Sequence, residues 1–160
     1  MEFNIIAIIV AALVPMVLGF IWYNPKVLGT AWMKESGVTE EKMKESNMGV
    51  IFGISLLLAF ILAFFLQSLV IHQMGAFSLM GGDPANALPS YEAFMNDYGS
   101  VHRNFGHGAL HGAIAGVFII FPIMAANGLF ERKSWKLIFI NSGYWTLALA
   151  IMGAIICGWV

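Results

Sequence analysis

Four histidines are the residues in this 160-residue sequence best equipped for chemistry, and two of them share a telling spacing. His107 and His111 stand four apart in His107-Gly-Ala-Leu-His111, so a helix puts both imidazoles on one face, one turn apart. Such a pair offers two nitrogen ligands to Zn²⁺ or Cu, with His72, His102 or a carboxylate as a third. Glu92 and Asp97 lie in the same stretch of chain, so a mixed imidazole–carboxylate cluster is expected. Facing imidazoles, His72 against His107 or His111, could instead ligate a haem axially. The competing reading is structural, with the rings hydrogen-bonding helix carbonyls or each other. The motif lacks the glutamate of His-Glu-x-x-His, so no metalloprotease chemistry follows from it. No nucleophile–base arrangement stands out either, and the expectation is a protein that is not an enzyme. The single Cys157 rules out an intramolecular disulfide and a zinc site built on several cysteines.

The elements that must position these histidines follow from composition. Hydrophobic residues make up 59% of the chain and charged residues only 11%, well below the quarter or so typical of globular proteins. Lipid is the solvent such a chain calls for. A net charge of −1 argues against a nucleic-acid partner. Four apolar runs are long enough to cross a hydrocarbon core, at Phe3–Tyr23, Gly49–His72, Gly106–Ala126 and Leu137–Val160. The expected fold is all-α, a four-helix transmembrane bundle in one domain over residues 1–160. Pro15 falls inside the first run and is expected to kink it. That run ends in Trp22-Tyr23 and begins without a basic region, unlike a cleaved signal peptide.

Basic residues orient the bundle. Lys26, Lys34, Lys42 and Lys44 sit in the first connection, and Arg132, Lys133 and Lys136 in the third, whereas the long second one holds only Arg103. The first and third connections are therefore expected inside, and both termini and the second connection outside. All four histidines then fall on the outer side. In the first connection, Asn24-Pro25 should end the helix, Trp22, Tyr23 and Trp32 should form an interfacial belt, and Thr39 should cap a short surface helix. Glu40 and Lys44 are spaced to pair on that helix. The second connection, Gln73 to Phe105, should be irregular around Gly81-Gly82-Asp83-Pro84. It should then form an amphipathic helix capped by Ser90, with Tyr91, Phe94, Met95 and Tyr98 on one face and Gly99 at its end.

Gly108, Gly112 and Gly116 repeat every four residues, a flat stripe that lets a second helix approach closely. The stripe makes the third span a packing centre, and glycine left facing lipid would draw in another copy or another membrane protein. Gly49-x-x-x-Gly53 adds a shorter stripe on the second span. Asn127 and Asn141 should satisfy helix ends beside the third connection, and Gln67 and Ser68 could line a cavity below His72. No span carries a central Asp, Glu, Lys or Arg, which weakens a coupled transporter while leaving a small oligomeric channel as an alternative.

The segments Gly19-Phe-Ile-Trp22-Tyr23-Asn-Pro25-Lys-Val-Leu-Gly29-Thr-Ala-Trp32, His107-Gly-Ala-Leu-His111-Gly and Glu131-Arg-Lys-Ser-Trp135-Lys carry a family resemblance. Over essentially its whole length the chain resembles a bacterial family of small four-span membrane proteins classified only as a domain of unknown function. The resemblance implies a multi-pass protein of the bacterial inner membrane and brings no reaction or ligand with it. On the residues themselves, the expected function is a binding or scaffold subunit that oligomerises through Gly108, Gly112 and Gly116. The alternative is a Zn, Cu or haem site on His72, His102, His107 and His111.

Overall fold

The computed structural model describes residues 4–160, and all regular structure among them is helical. Four helices are long and apolar enough to cross a membrane, and side chains such as Ile6, Phe65 and Phe118 project from them unburied. An apolar exterior of this extent suits lipid.

Helix α1 spans Ile5–Trp22, with Asn4 accepting a capping bond from the Ala7 amide. Phe3, the expected start, lies outside the described residues. Pro15 sits within α1 without ending it, and the Tyr144 hydroxyl donates to the Pro15 carbonyl at 2.7 Å. After Tyr23 the chain makes one π-helical turn, Pro25–Gly29, which leads into α2 (Thr30–Ser36) and α3 (Glu40–Glu45). Gly29 is required there, because a Cβ would collide with the Tyr23 carbonyl. Thr39 caps α3 as expected, accepting from the Lys42 amide. The expected Glu40–Lys44 pair does not form. Among the described residues the ion pair is Lys136–Glu35, at 3.7 Å.

Helix α4 (Met48–Val70) is followed at once by α5 (Gln73–Leu79), in a stretch where the glycine-rich sequence predicts irregular chain. The amphipathic helix α6 exists at Pro89–Tyr98, but Ser90 does not cap it. Pro89 occupies the first turn instead, where its missing N–H costs nothing, and Leu88 takes the capping position. Helix α7 runs Phe105–Phe130 and contains a π turn at Gly116–Ile120, two residues ahead of Pro122. Proline removes a donor and crowds the preceding turn, so a local widening at this place has a physical cause. Helix α8, Trp135–Gly158, is capped by Ser134.

Helix α8 is the centre of the bundle. In its most apolar stretch 44% of residues are buried, against 17% for α4. Ile8 of α1, Leu66 and Val70 of α4, and Leu149, Met152 and Cys157 of α8 form the core. The glycine stripe of α7 faces α8 directly: a Cβ at Gly108 would meet the Gly153 carbonyl, one at Gly112 the Leu149 carbonyl, and one at Gly116 the Cα of Thr146. The stripe expected to draw in a second copy is thus covered by the chain's own last helix. By contrast Gly53 on α4 faces open space.

Three further expectations change. Trp22 and Tyr23 do not form an interfacial belt but turn inward, where Trp22 Nε1 donates to the Ile140 carbonyl at 3.1 Å and the Tyr23 hydroxyl to Asn141 Oδ1 at 3.2 Å. Trp32 packs edge-on against Tyr23, and Trp135 is exposed. Asn127 lies inside α7, because that helix extends past the expected Ala126 and shortens the third connection to 131–134, and Asn141, inside α8, accepts from Tyr23 instead of satisfying a helix end.

The two ends of the bundle separate as the basic residues predict. Ser134 donates to Glu35 at 2.6 Å, joining the first and third connections at one end. At the other, Asn4 donates to the Trp159 carbonyl and Arg103 to the Cys157 carbonyl, both at 3.1 Å. That second end holds both termini, α5, α6 and every histidine.

Candidate functional site

His107 owes its place to the start of α7. Asn104 stands in extended backbone and accepts a bond from the His107 amide at 2.9 Å, which fixes the first turn. The helix begins against the end of α8, since a Cβ on Gly158 would strike Phe105 and one on Gly108 would strike Gly153. His107 and His111 then project one turn apart, with ring centroids 4.4 Å from each other.

His72 arrives from the opposite element. It is the turn residue between α4 and α5, held by buried neighbours on both sides, Ile71 and Gln73. The Gln73 amide nitrogen donates to the carbonyls of Tyr98 and Val101, both at 2.8 Å, and so ties α5 to the segment that carries His102. The Gln73 side-chain oxygen is buried without a protein partner among the described residues.

His102 has left-handed backbone, φ 64°, a conformation uncommon for a residue with a side chain and a reason to look for function. Its carbonyl accepts from the Asn104 amide at 3.0 Å and from the buried Cys157 thiol at 3.4 Å. Arg103 beside it donates to the Cys157 carbonyl near the C-terminal end of α8, where a cation is favoured by the helix dipole. The loop is pinned to α8 from both residues.

The four imidazoles converge. His72 Nε2 and His107 Nε2 are 2.8 Å apart and share a hydrogen bond. His72 and His111 centroids are separated by 4.7 Å, and His102 stacks on His107 at 4.6 Å. One ligand nitrogen each from His72, His107 and His111 lies within 4.8 Å of the other two. The shared bond requires one of the two facing nitrogens to be bare, the form in which imidazole binds a metal. His72 is exposed and the other two half-buried, so an ion from outside the protein can reach them.

The expected set of four is therefore brought together, with three residues in ligating reach and His102 stacked alongside. The carboxylates are not part of it: Glu92 and Asp97 point outward on α6 and do not belong to the group. Gln67 donates to the Phe64 carbonyl on its own helix and Ser68 is exposed, so neither lines a cavity below His72. As they stand, the hydrogen-bonded His72 and His107 leave no space for a porphyrin between them. Gln73, which positions the loop, was not singled out by the sequence, where it reads as the first polar residue of a connection.

The chain belongs to the family described as protein of unknown function (DUF1761), whose model matches residues 6–157. That range takes in all four long helices but for the first residue of α1 and the last of α8, and all four histidines. No curated protein and no solved structure matches the chain. Membership confirms the resemblance carried by the sequence segments and assigns no activity to the site.

Proposed function

We propose that this protein binds a divalent transition-metal ion, with Zn²⁺ the best fit, through His72, His107 and His111. The reading is of a binding protein and not an enzyme, in the bacterial inner membrane, with its site on the outer side. The observation that carries it is the mutual reach of three imidazole nitrogens, all within 4.8 Å. Tetrahedral Zn²⁺ with bonds of about 2.0–2.1 Å places its ligand atoms roughly 3.3 Å apart, so the rings need only small movements to close on an ion. Three imidazoles leave one coordination position open for water or an exchangeable ligand. Nitrogen ligands suit Zn or Cu better than Mg or Ca, which prefer oxygen. His102 stacks on His107 and supports the site from the side.

The rest of the fold supports this use. The glycine contacts hold α7 hard against α8, and Asn104 and Arg103 anchor the segment around His102, so the ligands sit on a rigid base. A partner subunit, whether a second copy or another membrane protein, finds its open helix in α4, because the α7 glycines are already engaged.

Isothermal titration of metal-free protein in detergent, with elemental analysis of the product, tests the proposal. One Zn²⁺ per chain is expected, weakened at least about 100-fold by His111→Ala or His107→Ala and about 10-fold by His102→Ala. Affinity should fall as the pH is lowered, because protons compete for the imidazole nitrogens. A wild-type protein that takes up no ion, or one whose affinity is unchanged by His111→Ala, overturns it.

A further inference from the structure

At the opposite end of the bundle, α1 and α4 part around a cavity of about 600 Å³. Small residues, Ala12 and Gly19 on α1 and Ser55 and Ala59 on α4, keep its floor open, and Tyr144 and Trp145 of α8 close the back. The Tyr144 hydroxyl is spent on the Pro15 carbonyl, so the interior offers water few partners and stays apolar. Polarity gathers at one end, where Tyr23 and Asn24 reach the lysine-bearing connections. The side is open too, because α4 is exposed at every residue from Met48 to Leu58.

We propose that this cleft holds one acyl chain of a zwitterionic phospholipid from the leaflet on the lysine-bearing side. The depth of the cleft along the two spans, its apolar lining and its single polar end match a lipid with its headgroup at the interface. The rim carries both signs. Met43 lines the cleft between Lys42 and Lys44, on a short helix that also bears Glu40, Glu41 and Glu45, so a headgroup with phosphate and amine finds opposite charges for each. A helix from a second copy fits less well. At about 10 Å across and 5.4 Å per turn, a helix takes roughly 400 Å³ per turn, so the cleft would admit little more than one turn, whereas an acyl chain can lie along it.

The test uses phosphatidylcholine with brominated acyl chains as a quencher of tryptophan fluorescence, added to the detergent-solubilised full chain. Trp32 and Trp145 line the cleft and Trp22 packs on Tyr144 behind it, whereas Trp135 and Trp159 are exposed elsewhere, so the background variant is Trp135→Phe/Trp159→Phe. A saturable quenching phase complete at one lipid per chain is expected, and native mass spectrometry should retain one lipid. Ser55→Phe fills the cleft from an exposed position and should remove the saturable phase while leaving the helical circular dichroism intact. Quenching that rises without saturation, and identically in Ser55→Phe, overturns the proposal. So does a lipid-free dimer that Ser55→Phe converts to monomer, which would assign the cleft to a second copy. Neither result touches the metal reading, whose residues lie at the other end.

Discussion

Helices α7 and α8 pack through bare backbone, while α1 and α4 share the core toward the histidine end and part around a cleft at the other, and the same four-span bundle contains both. The first pair is joined by Gly108, Gly112 and Gly116 against Gly153, Leu149 and Thr146, contacts too close for any side chain. The second pair carries glycine and alanine as well, yet Gly53 meets nothing within 4 Å and the first half of α4 is uncovered. Small residues alone therefore do not specify an interface. What differs is the facing surface: α8 presents backbone to α7, whereas α1 presents bulky side chains such as Phe20, which rests on Phe52 at 5.8 Å. In lipid, where no hydrophobic force drives helices together, that difference decides which pair closes. The closed pair carries two of the three candidate ligands, and the open pair carries the cleft.

The sharpest way to break this contrast is to give both stripes the same side chain. Gly112→Leu forces atoms into the Leu149 carbonyl and should cost more than about 3 kcal/mol, enough to lose the folded peak in detergent gel filtration. Gly53→Leu enters open space and should change stability by no more than about 0.5 kcal/mol. Equal behaviour of the two variants would refute the assignment of α7–α8 as the rigid pair. A smaller effect is expected from Tyr144→Phe, which removes the hydroxyl that ties α8 to the Pro15 carbonyl of α1. The loss should be about 1 kcal/mol in thermal unfolding, with zinc affinity unchanged, because the bond lies at the cleft end. An altered affinity would mean the two ends are coupled.

The smallest effect concerns the join between the first and third connections. The Ser134 hydroxyl, and after it the Lys136 ammonium, hold the Glu35 carboxyl below its ordinary value of 4.5. A carboxylate depressed by folding stabilises the protein above its unfolded pKa and loses that contribution as the pH falls through the folded one. Wild type should therefore unfold slightly above Glu35→Gln at pH 7, and the gap should close as the pH drops below 4.5. Because the Lys136 side chain is exposed and that of Glu35 only half-buried, solvent screens the pair, and a large gap would contradict the picture.

The legible part of this molecule in the sequence was whatever depends on long apolar runs or on spacing within one helix. The four spans, the separation of lysine and histidine ends, the α3 cap at Thr39 and the His107–His111 pair all belong to that class. Features set by tertiary neighbours were not legible. Trp22 and Tyr23 have the composition of an interfacial belt, but their polar atoms find partners on α8, more than a hundred residues away. The glycine stripe announced a close contact without naming its partner, since α8 meets Gly112 and Gly116 with Leu149 and Thr146, not with a stripe of its own. Gln73 and the short helix it begins were hidden because seven residues followed by Gly81-Gly82 carry too few periodic positions to stand out from a loop. His72 joining the pair on α7 was foreseeable only as a shared end of the bundle, not as a 2.8 Å contact.

The π turn at Gly116–Ile120 has a bearing on how this chain can vary in length. It amounts to one residue inserted into an otherwise α-helical span, which offsets everything beyond it by about 100° around the axis. Below it, Ala125 and Gly128 are the buried residues of α7, Gly128 lying against Ile138. Losing a single residue from that turn would restore a regular helix and swing those two positions away from α8 while leaving the stripe above in place. The spacing between the histidine end and the third connection is thus set to the residue, and a deletion there is harder to absorb than one in the connections at either end.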